Sequence, residues 1–223
     1  MNFIIPYRNR KEHLDEFIKR FTEMNIDAHF YIIHQINPGE FNRGAIKNIG
    51  FLEVSKMNPD GLFIFHDVDT YPTYWGSIPY ETKKGEINRP VHNSYPENVG
   101  LICCCYKEEF EKTNGFANYW GWGSEDGALY YRAKKHGIKI REGNIDYKDR
   151  KYVINHEHDR NVEKQHFNCD KNGKLLQKEK DTGDSSNGLS SIQYEMLSSF
   201  ELAPRFTIMN VDFKITQNNS YTL

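Results

Sequence analysis

Two hydrophobic patterns alternate over the first 70 residues. Short, mainly apolar runs at 3–6, 28–35 and 61–69 predict buried strands. Between them, apolar residues recur every three or four positions over 11–24 and 41–57, which predicts two amphipathic helices. This β-α-β-α-β order predicts an α/β fold with a mostly parallel central sheet flanked by helices.

The same patterns continue less regularly through the rest of the chain. Further strands are predicted at 99–106, 138–140, 151–159 and 205–215, and further helices at 107–115 and from the motif at 118–126 to about residue 136. A polar connection fills 71–97, and a very polar stretch at about 157–185 predicts a mobile loop. The middle of the chain has no linker-like composition, so residues 1–223 are predicted to form a single domain.

Polar side chains follow the first three predicted strands, in "PYRNR", "HQIN" and "HDVDT". In open parallel sheets, ligands bind beyond the carboxyl ends of the strands, so these stretches are expected along one crevice. The guanidinium groups of Arg8 and Arg10 suit phosphate, and Tyr7 is placed to stack on a base. Surface arginines paired with local acids would give the same pattern, and this stretch alone favours that alternative.

Composition narrows the classes of function. Because 29 Lys and Arg balance 31 Asp and Glu, no basic surface argues for a nucleic-acid partner. Aromatic residues make up 14% of the chain, and such rings build cores but also stack on sugars. No apolar run reaches the roughly 18–20 residues that span a bilayer. The contiguous Cys103, Cys104 and Cys105 predict buried thiols in a reducing compartment, since strand neighbours face opposite sides.

Carboxylates and imidazoles at two strand ends form a candidate metal site. Asp67 and Asp69 are spaced to direct oxygens at one divalent cation, although two solvated turn acids would give the same pattern. His156 and His158 alternate to one side of an extended segment, and Asp159 is placed to hold a histidine tautomer. This ligand set suits Mn²⁺ better than Mg²⁺. Zinc remains a chemical competitor, but the cysteine spacing does not match a thiolate zinc site.

The stretch "NYWGWGSED" at 118–126 crowds tryptophans, glycines and paired acids together. Glu125 and Asp126 suit the first turn of a helix, where acids are favourable. A carboxylate at that position, walled by Trp120 and Trp122, is also able to accept a proton from a sugar hydroxyl. We expect both roles to hold.

These motifs, in this order, resemble the β-1,4-galactosyltransferases, and most of all the branch that adds galactose to xylose on proteoglycan linkers. The matching stretches are "IIPYRNRKEHL", "FYIIHQINPGEFNRGAIKNIGFLE", "FIFHDVDTYP", "NGFANYWGWGSED", "NHEHDR" and "NGLSSIQYEML", and they extend from residue 3 to about residue 215. The resemblance implies a GT-A glycosyltransferase fold, a UDP-sugar donor, manganese (Mn²⁺) as cofactor and inversion at the anomeric carbon.

The resemblance also implies roles for individual residues. The residues matched to nucleotide binding are Pro6, Tyr7, Arg8, Arg10, Phe41, Arg43, Asp67 and Val68. The residues matched to metal binding are Asp69, His156 and His158. Asp126 matches the catalytic base, and the residues matched to the acceptor and sugar sites are Trp122, Glu125 and Asn98.

Three positions depart from the family pattern. Gly127 replaces an aspartate that binds acceptor hydroxyls, and losing such a buried partner costs about 1–3 kcal/mol. The family's Gly-Gly pair is Gly100-Leu101 here. Asn98 stands where galactosyltransferases carry Tyr, and a smaller residue there leaves room for the N-acetyl group of UDP-GalNAc.

We therefore expect an inverting, Mn²⁺-dependent hexosyltransferase that moves galactose or N-acetylgalactosamine from a UDP-sugar to a hydroxyl of a glycan or glycoconjugate. Three alternatives remain: another donor such as UDP-glucose, a non-catalytic carbohydrate-binding relative, and a zinc hydrolase, for which no H-E-x-x-H motif is found. The chain enters its first strand at once, without a signal or anchor, which predicts a soluble cytoplasmic protein. If an upstream anchor belongs to the natural chain, the Golgi lumen is expected instead.

Overall fold

The computed structural model describes residues 1–93, 95, 97–156 and 169–216. The strands are β1 (Asn2–Tyr7), β2 (His29–Gln35), β3 (Phe63–His66), β4 (Thr70–Pro72), β5 (Glu86–His92), β6 (Ile102–Cys105), β7 (Lys139–Asp146), β8 (Val153–Asn155), β9 (Ile192–Ala203) and β10 (Phe206–Ile215). The helices are α1 (Lys11–Glu23), α2 (Arg43–Met57), α3 (Lys107–Lys112), α4 (Glu125–Lys135) and α5 (Cys169–Thr182). Among the described residues, none of the helices has the length and apolar character needed to cross a membrane.

Eight strands form one mixed sheet in the order β7-β5-β6-β3-β1-β2-β10-β9. Its centre is parallel as predicted, because β1 pairs in parallel with β2 and β3, and β10 pairs in parallel with β2. Antiparallel pairs flank this centre, between β3 and β6 on one side and between β10 and β9 on the other. Strands β4 and β8 form a separate antiparallel pair, in which Thr70 lies opposite Asn155. The predicted α/β class is confirmed, and the outer antiparallel strands make the sheet mixed.

Each face of the sheet carries its own hydrophobic core. Phe3 and Ile5 of β1 pack with apolar residues of α1, whereas Ile4 packs on the other face with residues of α2. Such alternation follows from the two-residue period of a strand. The cysteines obey the same rule, since Cys104 joins the first core while Cys103 and Cys105 join the second. All three are buried free thiols, as the sequence predicts.

The predicted loop at about 157–185 is wrong over residues 169–182, which form helix α5. Residues 157–168 lie outside the described part of the chain. The side chains of α5 that face the protein are mainly polar, which hides the helix from a search for apolar periodicity. Asn172, Leu175 and Glu179 are its buried positions, at the i, i+3 and i+7 spacing of one helix face.

Helix α5 is fastened to α4 by a fully buried ion pair. Arg132 donates from Nε and Nη2 to the two carboxylate oxygens of Glu179, at 2.6 and 2.8 Å. The same guanidinium donates to the carbonyls of Gly115 and Asn187, at 2.9 and 2.7 Å. Its donors are thereby shared among three segments, and such bidentate, charge-assisted bonds fix geometry strongly.

A buried amide network holds the segment that leads into residues 119–124, the aromatic loop that precedes α4. Asn118 donates to the Gly188 carbonyl at 2.7 Å and to the Ser191 hydroxyl at 3.1 Å. Asn48 of α2 donates to the Asn118 side chain and to the Phe116 carbonyl, each at 2.8 Å. Because unsatisfied buried amides are costly, this closed set of partners specifies one path for the chain towards residue 120.

We predict that breaking the Arg132–Glu179 pair destabilises the protein strongly. Glu179→Gln is expected to lower the free energy of unfolding by about 3–5 kcal/mol, because it leaves a buried guanidinium without its counter-charge. Denaturant unfolding measures this. The matched control is Asp15→Asn at the exposed Lys11–Asp15 pair, 2.5 Å long, which is expected to cost about 0–1 kcal/mol. Equal losses in the two variants would contradict the anchoring role of the buried pair.

Candidate active site

Arg43 is the first residue of α2 and lies at the carboxyl edge of the sheet. Asn42 caps the helix by accepting from the Ala45 N–H at 2.9 Å, which sets the direction of the residue that follows. Gly44 permits close packing here, because an added Cβ would lie 2.0 Å from the Ala117 carbonyl oxygen. The sequence thus places the Arg43 side chain between the end of β3 and the start of α4.

The Arg43 guanidinium joins two of the predicted acids. It donates to both oxygens of Asp67, at 2.7–2.9 Å, and from Nη1 to Glu125 at 2.5 Å. It also donates to the Gly100 carbonyl at 3.1 Å. Burial opposes its charge, but the carboxylates of Asp67 and Glu125 outweigh burial and raise the pKa of Arg43. Arg43 therefore remains a fixed cation within the site.

The cations Arg43 and Lys47 keep Asp67 in its anionic form. Burial raises its pKa, but the charges of Arg43 and Lys47 prevail and lower it to about 2. The ring of His66 bonds to the Asp67 carbonyl at 2.9 Å and to the Tyr80 hydroxyl at 3.1 Å. Burial lowers the pKa of His66 to about 4, so this histidine is a neutral support rather than a proton donor at neutral pH.

Lys47 belongs to the site but is missed by sequence reasoning. Its side chain is 0% exposed and its ammonium lies 3.5 Å from Oδ1 of Asp67. Burial, followed by the charge of Arg43, lowers the pKa of Lys47. The sequence signal for this residue is a lysine among the buried positions of α2. Because buried lysines are rare unless they pair with an acid, that position indicates an ion pair.

Asp126, the predicted base, lies directly beside Glu125 in the first turn of α4. Its Oδ1 accepts from the Gly127 N–H at 2.9 Å. Burial, and then the charge of Glu125, raise the pKa of Asp126 to about 6, although Arg43 opposes this. Because Arg43 bonds directly to Glu125, the two adjacent acids have different environments.

Two of the three predicted metal ligands, Asp69 and His156, lie on neighbouring backbone segments. The His156 N–H donates to the Asp69 carbonyl at 3.0 Å, an extension of the β4–β8 pairing. Asp69 is 2% exposed, and its Oδ2 accepts from Arg10 at 2.8 Å. His158 and Asp159 lie outside the described residues, and within the described ones no group of three or more His, Cys, Asp or Glu could hold a metal. A carboxylate and an imidazole are nevertheless ligand types that suit Mn²⁺.

The remaining predicted nucleotide residues line the edge of the sheet around β1. Pro6 and Tyr7 end β1, and the Tyr7 ring lies edge-on to His34 with centroids 5.0 Å apart. Arg8 donates to the Gly39 carbonyl, so it reaches the loop after β2. Val68 is buried between Asp67 and Asp69, and Phe41 is half-buried just before α2.

The aromatic loop closes one side of the site. The Gly121 N–H donates to the Phe41 carbonyl at 3.1 Å, which brings this loop against the start of α2. Trp120 stacks on Phe213, with ring centroids 5.4 Å apart, whereas Trp122 is 40% exposed. Gly121 and Gly123 have φ angles of +72° and +119°, which glycine adopts without strain. Trp122 is therefore the more exposed of the two tryptophans in this loop.

Asn98 lies two residues before Gly100, whose carbonyl accepts from Arg43. Its Nδ2 donates to Asn93 at 3.2 Å, whereas its buried Oδ1 has no hydrogen-bond partner among the described residues. An added Cβ at Gly100 would lie 3.4 Å from that oxygen. A buried carbonyl oxygen without a partner is costly unless a ligand donates to it. Asn98 is thus placed to accept a hydrogen bond.

Comparison with known proteins places the chain in a family. A model described as the N-terminal region of glycosyl transferase group 7 matches residues 1–75, and one described as the N-terminal domain of galactosyltransferase matches 86–159. β-1,4-Galactosyltransferase 4 of Cricetulus griseus is 36% identical over 94% of this chain. β-1,4-Galactosyltransferase 5 of Mus musculus is 33% identical over 69% of it. The chain spans 62% of the length of the first relative and 42% of the second.

Solved structures agree in fold. A Drosophila β-1,4-galactosyltransferase 7 mutant in complex with manganese, UDP-Gal and xylobiose matches with a TM-score of 0.80 at 24% identity. That match covers 95% of this chain and 92% of the other. The catalytic domain of the Drosophila enzyme with xylobiose matches with a TM-score of 0.77 at 25% identity, with the same coverage. Sequence and fold agree, and the chain belongs to the β-1,4-galactosyltransferase family.

Proposed function

We propose that the protein is an inverting, Mn²⁺-dependent glycosyltransferase that moves galactose or N-acetylgalactosamine from a UDP-sugar to a sugar hydroxyl. The observation that carries the proposal is the cluster at Arg43, where one cation bonds to Asp67 of the strand end and to Glu125 beside Asp126. A nucleotide-binding edge and a candidate base thereby share one site. The family membership supports galactose as the transferred sugar.

The basic and aromatic groups around β1 would bind the nucleotide. Arg8 and Arg10 offer charge-assisted donors to the diphosphate, and the Tyr7 ring offers a surface for the base. Asp67 and the backbone at Val68 would accept from uridine and ribose. Asp67 suits that role because its low pKa keeps it an acceptor at neutral pH.

Asp69, His156 and His158 would hold Mn²⁺. Bound there, the ion supplies the Lewis acid that neutralises negative charge on the departing UDP. Arg10 is bonded to Asp69 in the described structure, so this guanidinium would reorient towards phosphate as the carboxylate turns to the ion. The ligand types fit manganese, as argued above from hard oxygen and imidazole donors.

Asp126 would act as the general base in a single displacement. An acceptor hydroxyl gives its proton to the Asp126 carboxylate, its oxygen bonds to the anomeric carbon, and the bond from that carbon to the phosphate oxygen breaks. UDP leaves with the electron pair, and because the hydroxyl attacks from the face opposite to UDP, the anomeric configuration inverts. Trp122 would exclude water, which otherwise hydrolyses the donor. Glu125 would orient the acceptor.

Asn98 supports a second donor. Asn is smaller than the Tyr that the family resemblance implies here and so leaves room for the N-acetyl group of UDP-GalNAc, whose N–H the buried Oδ1 is able to accept. A donor such as UDP-glucose remains the rival within the same fold. A non-catalytic carbohydrate-binding protein is disfavoured, because the chain retains the candidate base Asp126 together with the candidate metal ligands Asp69, His156 and His158.

The first test is release of UDP from a panel of UDP-sugars, with Mn²⁺ and with a chelator, before acceptors are added. We expect slow turnover of UDP-galactose or UDP-GalNAc that the chelator abolishes. Preference for UDP-GalNAc supports the role of Asn98. Turnover of UDP-glucose alone would contradict the donor assignment. If no sugar turns over, even with xylosides and glycans as acceptors, the protein is not the proposed enzyme.

Replacement of the base provides a second prediction. Asp126→Asn is expected to lower kcat by at least about 100-fold, because general base catalysis contributes that much. Affinity for UDP with Mn²⁺, measured by calorimetry, is expected to stay unchanged. Asp170→Asn, at an exposed acid in the first turn of α5, is the matched control and should retain activity. An active Asp126→Asn variant would contradict the assignment of the base.

The pH dependence follows from the raised pKa of Asp126. Activity needs the carboxylate, so kcat/KM should fall tenfold per pH unit below about pH 6. The free energy of unfolding changes with pH in the opposite direction to activity. Because the pKa of Asp126 is raised in the folded state, its ionisation opposes folding, and stability falls as pH rises from 3.8 to about 6. Asp126→Asn should therefore raise the melting temperature at pH 7 and change it less at pH 4. An acid limb near pH 4 would contradict this reading.

A further inference from the structure

Asn172 lies in the first turn of α5 and is 1% exposed. Its single Nδ2 group donates to the carbonyl of Trp120 at 3.2 Å and to the carbonyl of Trp122 at 3.3 Å. One amide thus binds the backbone carbonyls of Trp120 and Trp122, the two residues on either side of Gly121. Asparagine is a poor helix former, and its burial inside a helix indicates that its side chain has a task in tertiary structure.

The start of α5 also contacts the aromatic loop through backbone. An added Cβ at Gly123 would lie 3.0 Å from Sγ of Cys169 and 3.2 Å from its Cα, so Cys169 would have to shift by a few tenths of an ångström to admit it. The thiol of Cys169 lies 3.7 Å from the Trp122 carbonyl. The loop therefore needs glycine at 123 for its φ angle and also for this approach, and α5 lies directly on it.

Helix α5 is itself fixed to the helix that carries Asp126. The buried Arg132–Glu179 pair joins α4 to α5, and Leu175 packs with Tyr119 and Ala128. The amide of Asn172 therefore extends from a rigid support. The position of the aromatic loop is therefore fixed by α5, and α5 is fixed to α4, which carries the candidate base Asp126.

We propose that Asn172 is a positioning residue that fixes the backbone of the aromatic loop, and with it Trp122, beside the start of α4. The link to sugar transfer rests on the proposed function, whereas the control of Trp122 by Asn172 does not. Loss of the amide would free two carbonyls at once and allow the loop to leave its place. In the described part of the chain, the Asn172 amide donates to the aromatic loop, away from the candidate nucleotide residues around β1, so binding of UDP would be spared.

The test compares Asn172→Ala and Asn172→Asp in a Trp75→Phe background, which removes the tryptophan outside the loop. The aspartate variant keeps the shape of the side chain and removes its donors, so it remains informative if the alanine variant does not fold. Gln177→Ala is the matched control, because it removes an exposed amide of α5 that bonds only to Asp181 among the described residues. Acrylamide quenching of tryptophan fluorescence, calorimetry with UDP and Mn²⁺, and transfer kinetics are measured for each.

We expect stronger quenching in both Asn172 variants, kcat/KM for transfer reduced about tenfold, and UDP affinity within twofold of the parent. Gln177→Ala should match the parent in all three. Unchanged quenching in Asn172→Asp would overturn the proposal, as would a loss of UDP affinity as large as the loss of kcat/KM, because that pattern marks general damage. If the parent transfers no sugar, the proposed function fails, and quenching still decides the role of Asn172.

Discussion

The site depends on one shared cation. Arg43 bonds to Asp67 after β3, to Glu125 at the start of α4 and to the carbonyl of Gly100 before β6. These three segments are far apart in sequence, and each brings a buried or half-buried acceptor that is costly without a donor. A guanidinium has the geometry to satisfy all of them at once. Lysine at this position could not make the same set of bonds, since its donors radiate from one atom.

The sharing of Arg43 also separates the roles of the two adjacent acids. Glu125 takes a direct bond from the guanidinium, whereas Asp126 has the Gly127 N–H as its partner and a like charge beside it. Burial, and then the charge of Glu125, raise the pKa of Asp126 to about 6, whereas Arg43 and the Gly127 N–H lower it. Unequal environments for a pair of titratable groups are the usual means of assigning acid–base roles. The cation that assembles the site bonds to Glu125 and leaves Asp126 without a direct bond to it.

Sequence reasoning succeeded where apolar residues set the structure. The runs at 3–6, 28–35 and 205–215 became β1, β2 and β10, and the polar residues after the first two lie together at one edge. It failed where polar side chains set the structure. The sequence predicts a loop where helix α5 lies, because Asn172 and Glu179 anchor this helix by hydrogen bonds and charge and leave little apolar periodicity to detect.

Other omissions have the same kind of cause. Strand β9 is missing from the sequence prediction although Ile192, Tyr194 and Met196 alternate with polar residues; the alternation ends at Leu197, and most side chains beyond that residue are exposed. Strand β5 lay inside a stretch read as a polar connection, since its buried Asn88 and Arg89 are satisfied by hydrogen bonds to neighbouring loops. Lys47 was counted within a helix without regard to its charge. The site residues came from motif resemblance, which carries the tertiary arrangement that single-sequence patterns lack.

Gly127 connects the unrecognised helix to substrate choice. The family resemblance implies an aspartate here that binds acceptor hydroxyls, yet an added Cβ would lie 3.2 Å from Leu176 of α5 and 3.4 Å from the Glu97 carbonyl. A carboxylate at this position would press against an apolar side chain and a carbonyl oxygen, both unfavourable neighbours for a charge. The glycine at 127 is thus compatible with the close packing of α5 at this point. Under the proposed function, an acceptor would find its hydroxyl partners elsewhere around Glu125 and Trp122.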